Sequence, residues 1–353
     1  MAPSAPTATR LTTADLRRSI ARLPRASLAM LPTPLEELPC LSRLLGGPRI
    51  LIKRDDCTGL AFGGNKTRHN EFLLGQALAD RAEMLVWGAG VQSNNCRQTA
   101  AACAKLGLEC RLVLSTDSHP PDPQGNLLLD YLLGASVKFT STPLGPELFA
   151  EIQKEADRYR GMGRRVYSPP HNVVKPLAAI GYTLALAELV DQLADRDIEV
   201  DAVYVSSSGA TGIGLALGKA LLGESFLVRN IQPIRWPWSV PEDFAAGAKA
   251  AAKLLGVDVA IDPADIDATD AHVGPSYGRP TREALDAIEL TARNEGILLD
   301  PSYTSKAFAG LIADIRAGRW SPDQTVVFIH TGGTPALFAD WRELLEGIPP
   351  RSA

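Results

Sequence analysis

Short apolar runs alternate with helical segments along most of the chain, and this alternation restricts the fold more than any other feature. Helical spacing follows nearly every run, and the connecting loops are short. The predicted strands lie near 50–53, 84–87, 109–115, 135–140, 165–167, 201–205, 226–231, 297–299 and 325–329. Because parallel strands need a crossover connection, the pattern predicts an α/β fold with parallel sheets covered by helices.

One strand–turn–helix unit carries a lysine in an unusual position. The run 50–53 leads into Gly63-Gly64-Asn65-Lys66, and helical spacing continues from Arg68 to Ala79. An ammonium group opposes the dipole at a helix N-terminus, whereas a neutral amine or an imine does not. Partial burial also favours the neutral amine, which is the form that condenses with an aldehyde. The pattern makes Lys66 a candidate for covalent catalysis, with a solvated first-turn lysine as the alternative.

Composition narrows the classes of function. The 353 residues are 45% hydrophobic and 22% charged, which is ordinary for a globular enzyme with one large or two moderate domains. A net charge of -4 offers no basic field for nucleic acid, and residues 1–25 have no continuous apolar core, so we expect neither nucleic-acid nor membrane binding. The sequence has five cysteines without a Cys-x-x-Cys pair and five scattered histidines. This pattern predicts neither a metal site nor a disulfide framework, and it favours a cytoplasmic location.

A series of short motifs between Leu31 and Phe338 resembles the 1-aminocyclopropane-1-carboxylate deaminase and D-cysteine desulfhydrase family. The motifs are Arg54-Asp55-Asp56, Gly63-Gly64-Asn65-Lys66-Thr67-Arg68, Gln92-Ser93-Asn94, Arg97-Gln98-Thr99-Ala100, Gly125-Asn126-Leu127-Leu128-Leu129-Asp130, Tyr277-Gly278, Leu299-Asp300-Pro301-Ser302-Tyr303-Thr304 and His330-Thr331-Gly332-Gly333. That family belongs to the fold-type-II, tryptophan-synthase β-like enzymes, which carry pyridoxal phosphate on the lysine of the glycine turn.

The resemblance implies two parallel-sheet α/β domains with the cofactor in the cleft between them. Residues 1–66 and 176–353 are expected to form a large cofactor domain, and residues 67–175 a small domain inserted into it. A homodimer is implied in the same way.

The resemblance also assigns residues to the cofactor phosphate. The family's phosphate loop aligns with the turn after the run 201–205, at Ser208, Gly209, Ala210, Thr211 and Gly212. Amide N–H groups at a glycine-rich helix N-terminus bind anions, although an ordinary βα turn has the same appearance. Asn65 and His69 are further candidates for cofactor binding. His69 stands where relatives carry a phosphate-contacting lysine, and a histidine supplies a weaker or pH-dependent charge.

Two threonines are candidates for the cofactor's pyridine nitrogen. Thr304 follows the Asp-Pro-Ser-Tyr motif, where the deaminases have glutamate and desulfhydrase-like members have threonine. A hydroxyl holds the pyridinium charge less well than a carboxylate, which suits elimination of a good leaving group better than cyclopropane opening. Thr331 is the other candidate, with a loop-capping threonine as its alternative.

Substrate contacts are expected at the start of the helix near residue 96. Gln92, Ser93, Asn94 and Asn95 offer amides and side-chain donors for an amino-acid carboxylate, and the resemblance places Asn94 at the ring's phenolic oxygen. Plain N-capping by Ser93 or Asn94 is compatible with this role.

Two tyrosines and one lysine complete the candidate site. Tyr277 and Tyr303 match the family's two active-site tyrosines, and either is a candidate proton carrier if the site lowers its pKa. Lys175 lies in a predicted loop, 172–175, that aligns with Gly-Gly-Ser-Asn in relatives and precedes a long helix expected to start at Pro176 or Leu177. It is predicted either to recognise an anionic substrate group such as a sulfonate or to face solvent.

Together these features predict a pyridoxal-phosphate-dependent lyase or deaminase. It is expected to convert a small amino acid by α,β-elimination into an α-keto acid and ammonia, as a D-cysteine desulfhydrase does, with Lys66, Ser93, Tyr277 and Tyr303 as catalytic residues. A 1-aminocyclopropane-1-carboxylate deaminase and a cysteate sulfo-lyase are the alternatives within the family. A catalytically inactive protein that binds the cofactor or an amino acid is the alternative of another class.

Overall fold

The structure, a computed structural model, describes residues 10–348. The expectations for residues 1–9 and 349–353, at the two ends of the predicted large domain, lie outside the described residues. The strands are β1 (Leu35–Glu37), β2 (Arg49–Lys53), β3 (Met84–Gly90), β4 (Glu109–Ser115), β5 (Ser136–Thr140), β6 (Val166–Tyr167), β7 (Ala202–Ser206), β8 (Leu227–Ile231), β9 (Asp267–Thr269) and β10 (Thr325–Ile329).

The helices fill the intervals between these strands. They are α1 (Thr13–Ile20), α2 (Pro39–Leu45), α3 (Asn65–Ala79), α4 (Asn94–Leu106), α5 (Gly125–Leu132), α6 (Pro146–Gly161), α7 (His171–Ala194), α8 (Ala210–Leu222), α9 (Val240–Leu254), α10 (Arg282–Glu295), α11 (Thr304–Arg316), α12 (Ala336–Ala339) and α13 (Trp341–Gly347).

Two parallel-dominated sheets organise the chain, as the alternating pattern predicted. One has the strand order β1-β2-β10-β7-β8-β9, and the other has the order β5-β4-β3-β6. All pairings are parallel except that of β1 with β2. Central strands β7 and β10 are buried along their whole length, because helices cover both faces of their sheet.

The domain boundaries remain a prediction. Strands β3 to β6 fall inside the predicted small domain of residues 67–175, and the six other strands fall outside it. Helix α3, which begins at one boundary, packs against both α4 and α7. We therefore expect the two units to share this helix as part of their common wall.

The observed elements differ from the predicted ones at four places. Residues 297–299 form no strand, because the Leu298 carbonyl accepts a hydrogen bond from His330 Nε2 (3.0 Å) where a strand would need a backbone partner. Strands β1 and β9 were not expected: β1 adds an antiparallel edge to the larger sheet, and β9 adds a parallel strand at its other edge. Helix α7 begins at His171, five or six residues before the predicted start at 176 or 177, so the segment 172–175 is helical and not a loop.

Helix α7 is the longest helix among the described residues and the centre of the core. Its composition and length would allow it to cross a membrane, yet 72% of its apolar stretch is buried inside the protein. It packs against α3, α8 and α9, which is the environment of a core helix.

Candidate active site

A cavity of about 310 Å³ lies where β3, β7 and β10 end and α3 begins. In parallel sheets the carboxyl ends of the strands open toward the same side, so their following loops meet there. The candidate residues that line the cavity are Asn65, Lys66, His69, Ser93, Asn94, Asn95, Lys175, Ser208, Gly209, Ala210, Thr211, Tyr277, Tyr303 and Thr331. The structure thus brings together most of the residues that the motifs singled out.

Lys66 is the second residue of α3, as the glycine turn predicted. Gly64 caps this helix with a φ of 122°, a backbone conformation that side chains disfavour, and a Cβ there would lie 2.5 Å from the Gln98 amide nitrogen. Burial lowers the pKa of Lys66 to about 8, and no carboxylate of residues 10–348 pairs with it. The amine is therefore less basic than an ordinary lysine and is available as a nucleophile.

A buried ionic network holds the lysine turn from behind. Arg68 donates two hydrogen bonds to Asp55 (2.8 Å each) and two to Glu188 (3.0 Å each). Lys53 also pairs with Glu188 at 2.5 Å. The Asp55 backbone carbonyl accepts a hydrogen bond from Gly64 N (3.0 Å), so the network is tied directly to the turn. The sequence motif included Asp55 and Arg68, but nothing in the local pattern pointed to Glu188, which lies far along the chain on α7.

The turn between β7 and α8 forms an anion cradle. Within the described part of the chain, the N–H groups of Ser208, Ala210 and Thr211 have no protein acceptor, and α8 has no side-chain cap. Asn65 Nδ2 donates to the Thr211 hydroxyl (3.0 Å), and that hydroxyl lies 3.2 Å from His69 Nε2. These N–H groups at the positive end of a helix suit a phosphate.

His69 carries no formal charge in this cradle. Burial, with the nearby Lys66 and Arg68, lowers its pKa well below the usual value. Its ring packs edge-on against Tyr182, with ring centroids 5.6 Å apart. His69 therefore offers a neutral hydrogen-bonding partner where relatives were expected to place a charged lysine.

The start of α4 forms another wall. The Ser93 hydroxyl accepts hydrogen bonds from Asn95 N and Cys96 N (3.2 Å each), so Ser93 caps helix α4. Ser93 also lines the cavity. Asn94 Oδ1 accepts from Arg97 and Asn126 at 3.2 and 3.1 Å, which fixes its orientation.

Tyr277 and Tyr303 meet on the opposite side of the cavity. Their hydroxyl groups hydrogen-bond each other, and their rings lie edge to face with centroids 5.9 Å apart. Burial raises the pKa of Tyr277 to about 12 and, together with the neighbouring Tyr277, raises that of Tyr303 well above its usual value. The lowered pKa expected for a proton carrier is thus not seen in this structure, and both hydroxyls are protonated at neutral pH.

Three candidates lie outside the cavity wall. The Thr304 hydroxyl donates to Asp300 Oδ1 (2.6 Å) and accepts from Asp300 N (2.8 Å), so it closes the turn before α11 and does not face the cavity. Gln92 binds the backbone of Asn126 and Gln124 (2.9 and 3.1 Å) and braces α5. Gly212 N donates to Ser207 Oγ (2.8 Å). Of the two threonines considered for the pyridine nitrogen, the structure brings only Thr331 to the cavity.

Lys175 lines the cavity but is already paired. Its ammonium contacts both oxygens of Asp243 (2.8 and 2.7 Å) and lies 5.4 Å from the centre of the Trp238 ring. Its side chain is 14% exposed, so most of it is shielded from solvent. The charge that would attract an anionic substrate is matched by Asp243.

Aromatic side chains in the cavity were missed at the level of sequence. Trp87 lies in the middle of β3, Phe149 comes from α6, His171 is the first residue of α7, and Trp236 follows β8. The glycines after Trp87 and the Trp-Pro-Trp segment at 236–238 were the available signals. Neither pattern indicates which side of a loop faces a cavity.

The fold and the site together define an α/β enzyme in which one cleft combines a weakly basic lysine amine, an anion cradle and an amino-acid-sized pocket. Residues 26–332 match the family described as pyridoxal-phosphate dependent enzymes. The chain therefore belongs to the pyridoxal-phosphate dependent enzyme family.

Known relatives narrow this class. The chain is 39% identical over 335 residues to a D-cysteine desulfhydrase of Serratia proteamaculans, which covers 92% of this chain and 98% of the relative. It is 38% identical over 327 residues to a D-cysteine desulfhydrase of Klebsiella pneumoniae, covering 91% and 98%. The solved structure of an ACC deaminase homologue matches with a TM-score of 0.86 at 34% identity, covering 94% of this chain and 99% of that one. The Escherichia coli diaminopropionate ammonia lyase, at 16% identity and a TM-score of 0.66, shows likeness of fold alone.

These findings confirm the predicted family, the fold-type-II architecture and the pyridoxal phosphate cofactor. The protein is a pyridoxal-phosphate-dependent lyase or deaminase that works by elimination.

Proposed function

We propose that the protein removes the β-substituent from a small β-substituted amino acid such as D-cysteine, releasing an α-keto acid and ammonia. The observation that carries this proposal is the Lys66 amine, whose pKa is lowered to about 8, facing the same cavity as the 208–211 cradle. The desulfhydrase relatives match nearly the whole chain, which supports a carbon–sulfur bond as the one broken.

The residues present fit the cofactor. The free N–H groups of Ser208, Ala210 and Thr211 would hold its phosphate, and Asn65 and His69 would complete that end of the site. The Thr331 hydroxyl is our candidate for the pyridine nitrogen, and Asn94 for the phenolic oxygen. When bound, pyridoxal phosphate links to amino groups through its aldehyde and withdraws electrons from the substrate Cα.

The protein's own groups would handle the protons. Neutral Lys66 Nζ would accept the proton from the substrate Cα, because a lysine of lowered pKa is a base near neutral pH. The protonated Tyr277–Tyr303 pair is a proton donor for the departing group. Backbone N–H groups at the start of α4, with Ser93 and Asn95, would hold the substrate carboxylate.

The pairing of Lys175 with Asp243 bears on the choice among related activities. An anionic β-substituent such as a sulfonate would have to compete with Asp243 for the ammonium at 2.7 Å. We therefore favour a neutral thiol or thioether over cysteate as the substrate type.

The proposal is tested by incubating the holoenzyme with D- and L-cysteine and measuring sulfide and pyruvate. We expect equal amounts of both products from the enantiomer that is accepted, and a loss of about 10²–10⁴-fold in turnover for Lys66→Ala, the range for removing a proton-transfer group. Borohydride reduction followed by peptide mass analysis should label Lys66. A labelled lysine at another position, or no turnover of any β-substituted amino acid by the unreduced holoenzyme, would overturn the proposal and favour a non-catalytic binder.

We also propose a cytoplasmic homodimer. The cytoplasmic compartment is supported by the five cysteines, none of which forms a disulfide: Cys40, Cys57, Cys96, Cys103 and Cys110. The dimer rests on the family resemblance alone, and a monomeric mass by light scattering would refute it.

A further inference from the structure

A second cavity of about 220 Å³ adjoins the first. Trp87, Gly88, Phe149, His171 and Val174 line both spaces, so the second is a side lobe of the reaction cavity. We call it the α6 lobe, because Phe149, Ala150, Ile152 and Gln153 of α6 form one wall, with Pro169 and Pro170 opposite.

The α6 lobe is apolar, aromatic and uncharged. Its wall contains no Lys, Arg, Asp or Glu among the described residues. Burial and the nearby Lys175 lower the pKa of His171 to about 4, so this ring is neutral as well. Phe149 and His171 stack with ring centroids 4.4 Å apart and an angle of 18° between the rings. Flat, uncharged walls of this kind suit a planar apolar group.

The lobe has room for an aromatic ring. An apolar protein cavity of about 150 Å³ binds benzene, whereas the α6 lobe measures about 220 Å³. A bare thiol on Cβ would use neither the volume nor the stacked walls.

We propose that the α6 lobe receives an aryl or aralkyl group carried on the sulfur of the substrate, so that the enzyme cleaves cysteine thioethers of the S-benzyl type. This inference rests on the proposed elimination. The Cβ–S bond breaks with its electron pair going to sulfur, the proton is lost from Cα, and the thiolate takes up a proton and leaves as a thiol. Addition of water and loss of ammonia then convert the remaining three-carbon unit into pyruvate, so that S-benzylcysteine and water give phenylmethanethiol, pyruvate and ammonia.

The test compares S-benzylcysteine with S-methylcysteine, in D and L forms, on the holoenzyme. Both release an alkanethiol, and they differ by the phenyl ring that the α6 lobe would hold. We expect kcat/KM for the S-benzyl compound to exceed that for the S-methyl compound by at least about 10-fold, the lower limit of what one methylene in a hydrophobic pocket contributes.

Ala150→Trp should fill the lobe from α6 and lower the S-benzyl to S-methyl ratio by about 10-fold or more. Lys154→Trp is the matched control, because Lys154 is exposed on the same helix and lines neither cavity. It should leave the ratio unchanged.

The outcomes separate the two proposals. Turnover of D- or L-cysteine without a preference for the S-benzyl compound, or an equal ratio in the Ala150→Trp and Lys154→Trp variants, would refute the lobe assignment while leaving the elimination intact. No pyruvate from any of these substrates would refute the elimination itself.

Discussion

The Lys66 amine should react with an electrophile at neutral pH much faster than an ordinary lysine amine. Burial places its pKa at about 8, against the usual value of 10.5. At pH 7 about one Lys66 amine in ten is then neutral, compared with roughly one in 3,000 for an unperturbed lysine. Nucleophilicity falls as basicity falls, by roughly 10-fold over this interval if amines follow the slope known for thiols. The net expectation is acylation about 30-fold faster.

Trace labelling with acetic anhydride measures this rate. The protein is stripped of cofactor and labelled between pH 6 and 11 beside Nα-acetyl-lysine amide as an internal standard, and acetylated peptides are quantified by mass spectrometry. The Lys66 profile should level off above pH 8, whereas the standard should continue to rise toward pH 10.5. Lys306 is the internal control for access, because burial also lowers its pKa to about 8, but its ammonium donates to the Val273 carbonyl (2.6 Å) and is enclosed.

A Lys66 profile that followed the standard, with its midpoint near 10, would refute the reasoning about burial.

The lowered pKa of Lys66 also makes the stability of the folded protein depend on pH. Between pH 8 and 10.5 the unfolded chain holds a proton on Lys66 that the folded chain has lost, so stability rises with pH across this window. Lys66→Met should therefore stabilise the protein at pH 7, by on the order of 1 kcal/mol after allowing for partial exposure, and have little effect at pH 10.5.

Three further predictions concern the groups around this lysine. Asp55→Asn should lower the free energy of unfolding by about 3–5 kcal/mol, because it deprives the buried Arg68 guanidinium of one carboxylate. Asp191→Asn, which breaks the exposed pair with Arg17, should lower it by about 0–1 kcal/mol in the same urea titration. Equal losses in the two variants would contradict the role of burial. In an ultraviolet titration, Tyr277→Phe should lack one tyrosine that in the wild type ionises only near pH 12. A wild-type protein in which every tyrosine is ionised by pH 11 would contradict this prediction. Asp243→Asn should free the Lys175 ammonium and raise kcat/KM for cysteate relative to cysteine by about 10-fold, roughly the effect of one charged hydrogen bond. Adding Lys175→Met to this variant should abolish the gain. An unchanged ratio in Asp243→Asn would show that Lys175 does not contact the β-substituent.

Local sequence was sufficient to predict the positions of most strands and helices and the location of Lys66. These depend on interactions within a few residues: apolar periodicity, the glycines before α3, and the amide groups at the start of α8. The start of α7 was placed too late because Pro176 was interpreted as a helix start, yet the structure accommodates it inside the helix. The strand expected at 297–299 failed because a distant side chain, His330, provides the bonding partner.

The sequence by itself determined the parallel α/β architecture, the lysine turn and, through the order of the motifs, the cofactor. Tertiary structure alone decided which polar groups face the cavity: Thr331 does and Thr304 does not, because the Thr304 hydroxyl is held by Asp300. It also decided that Lys175 is neutralised by Asp243, 68 residues away, and that Trp87, Phe149 and His171 enclose a side lobe. The physical reason is that motifs record backbone conformation and local chemistry, whereas burial, pKa and charge pairing depend on segments that meet only when the chain is folded.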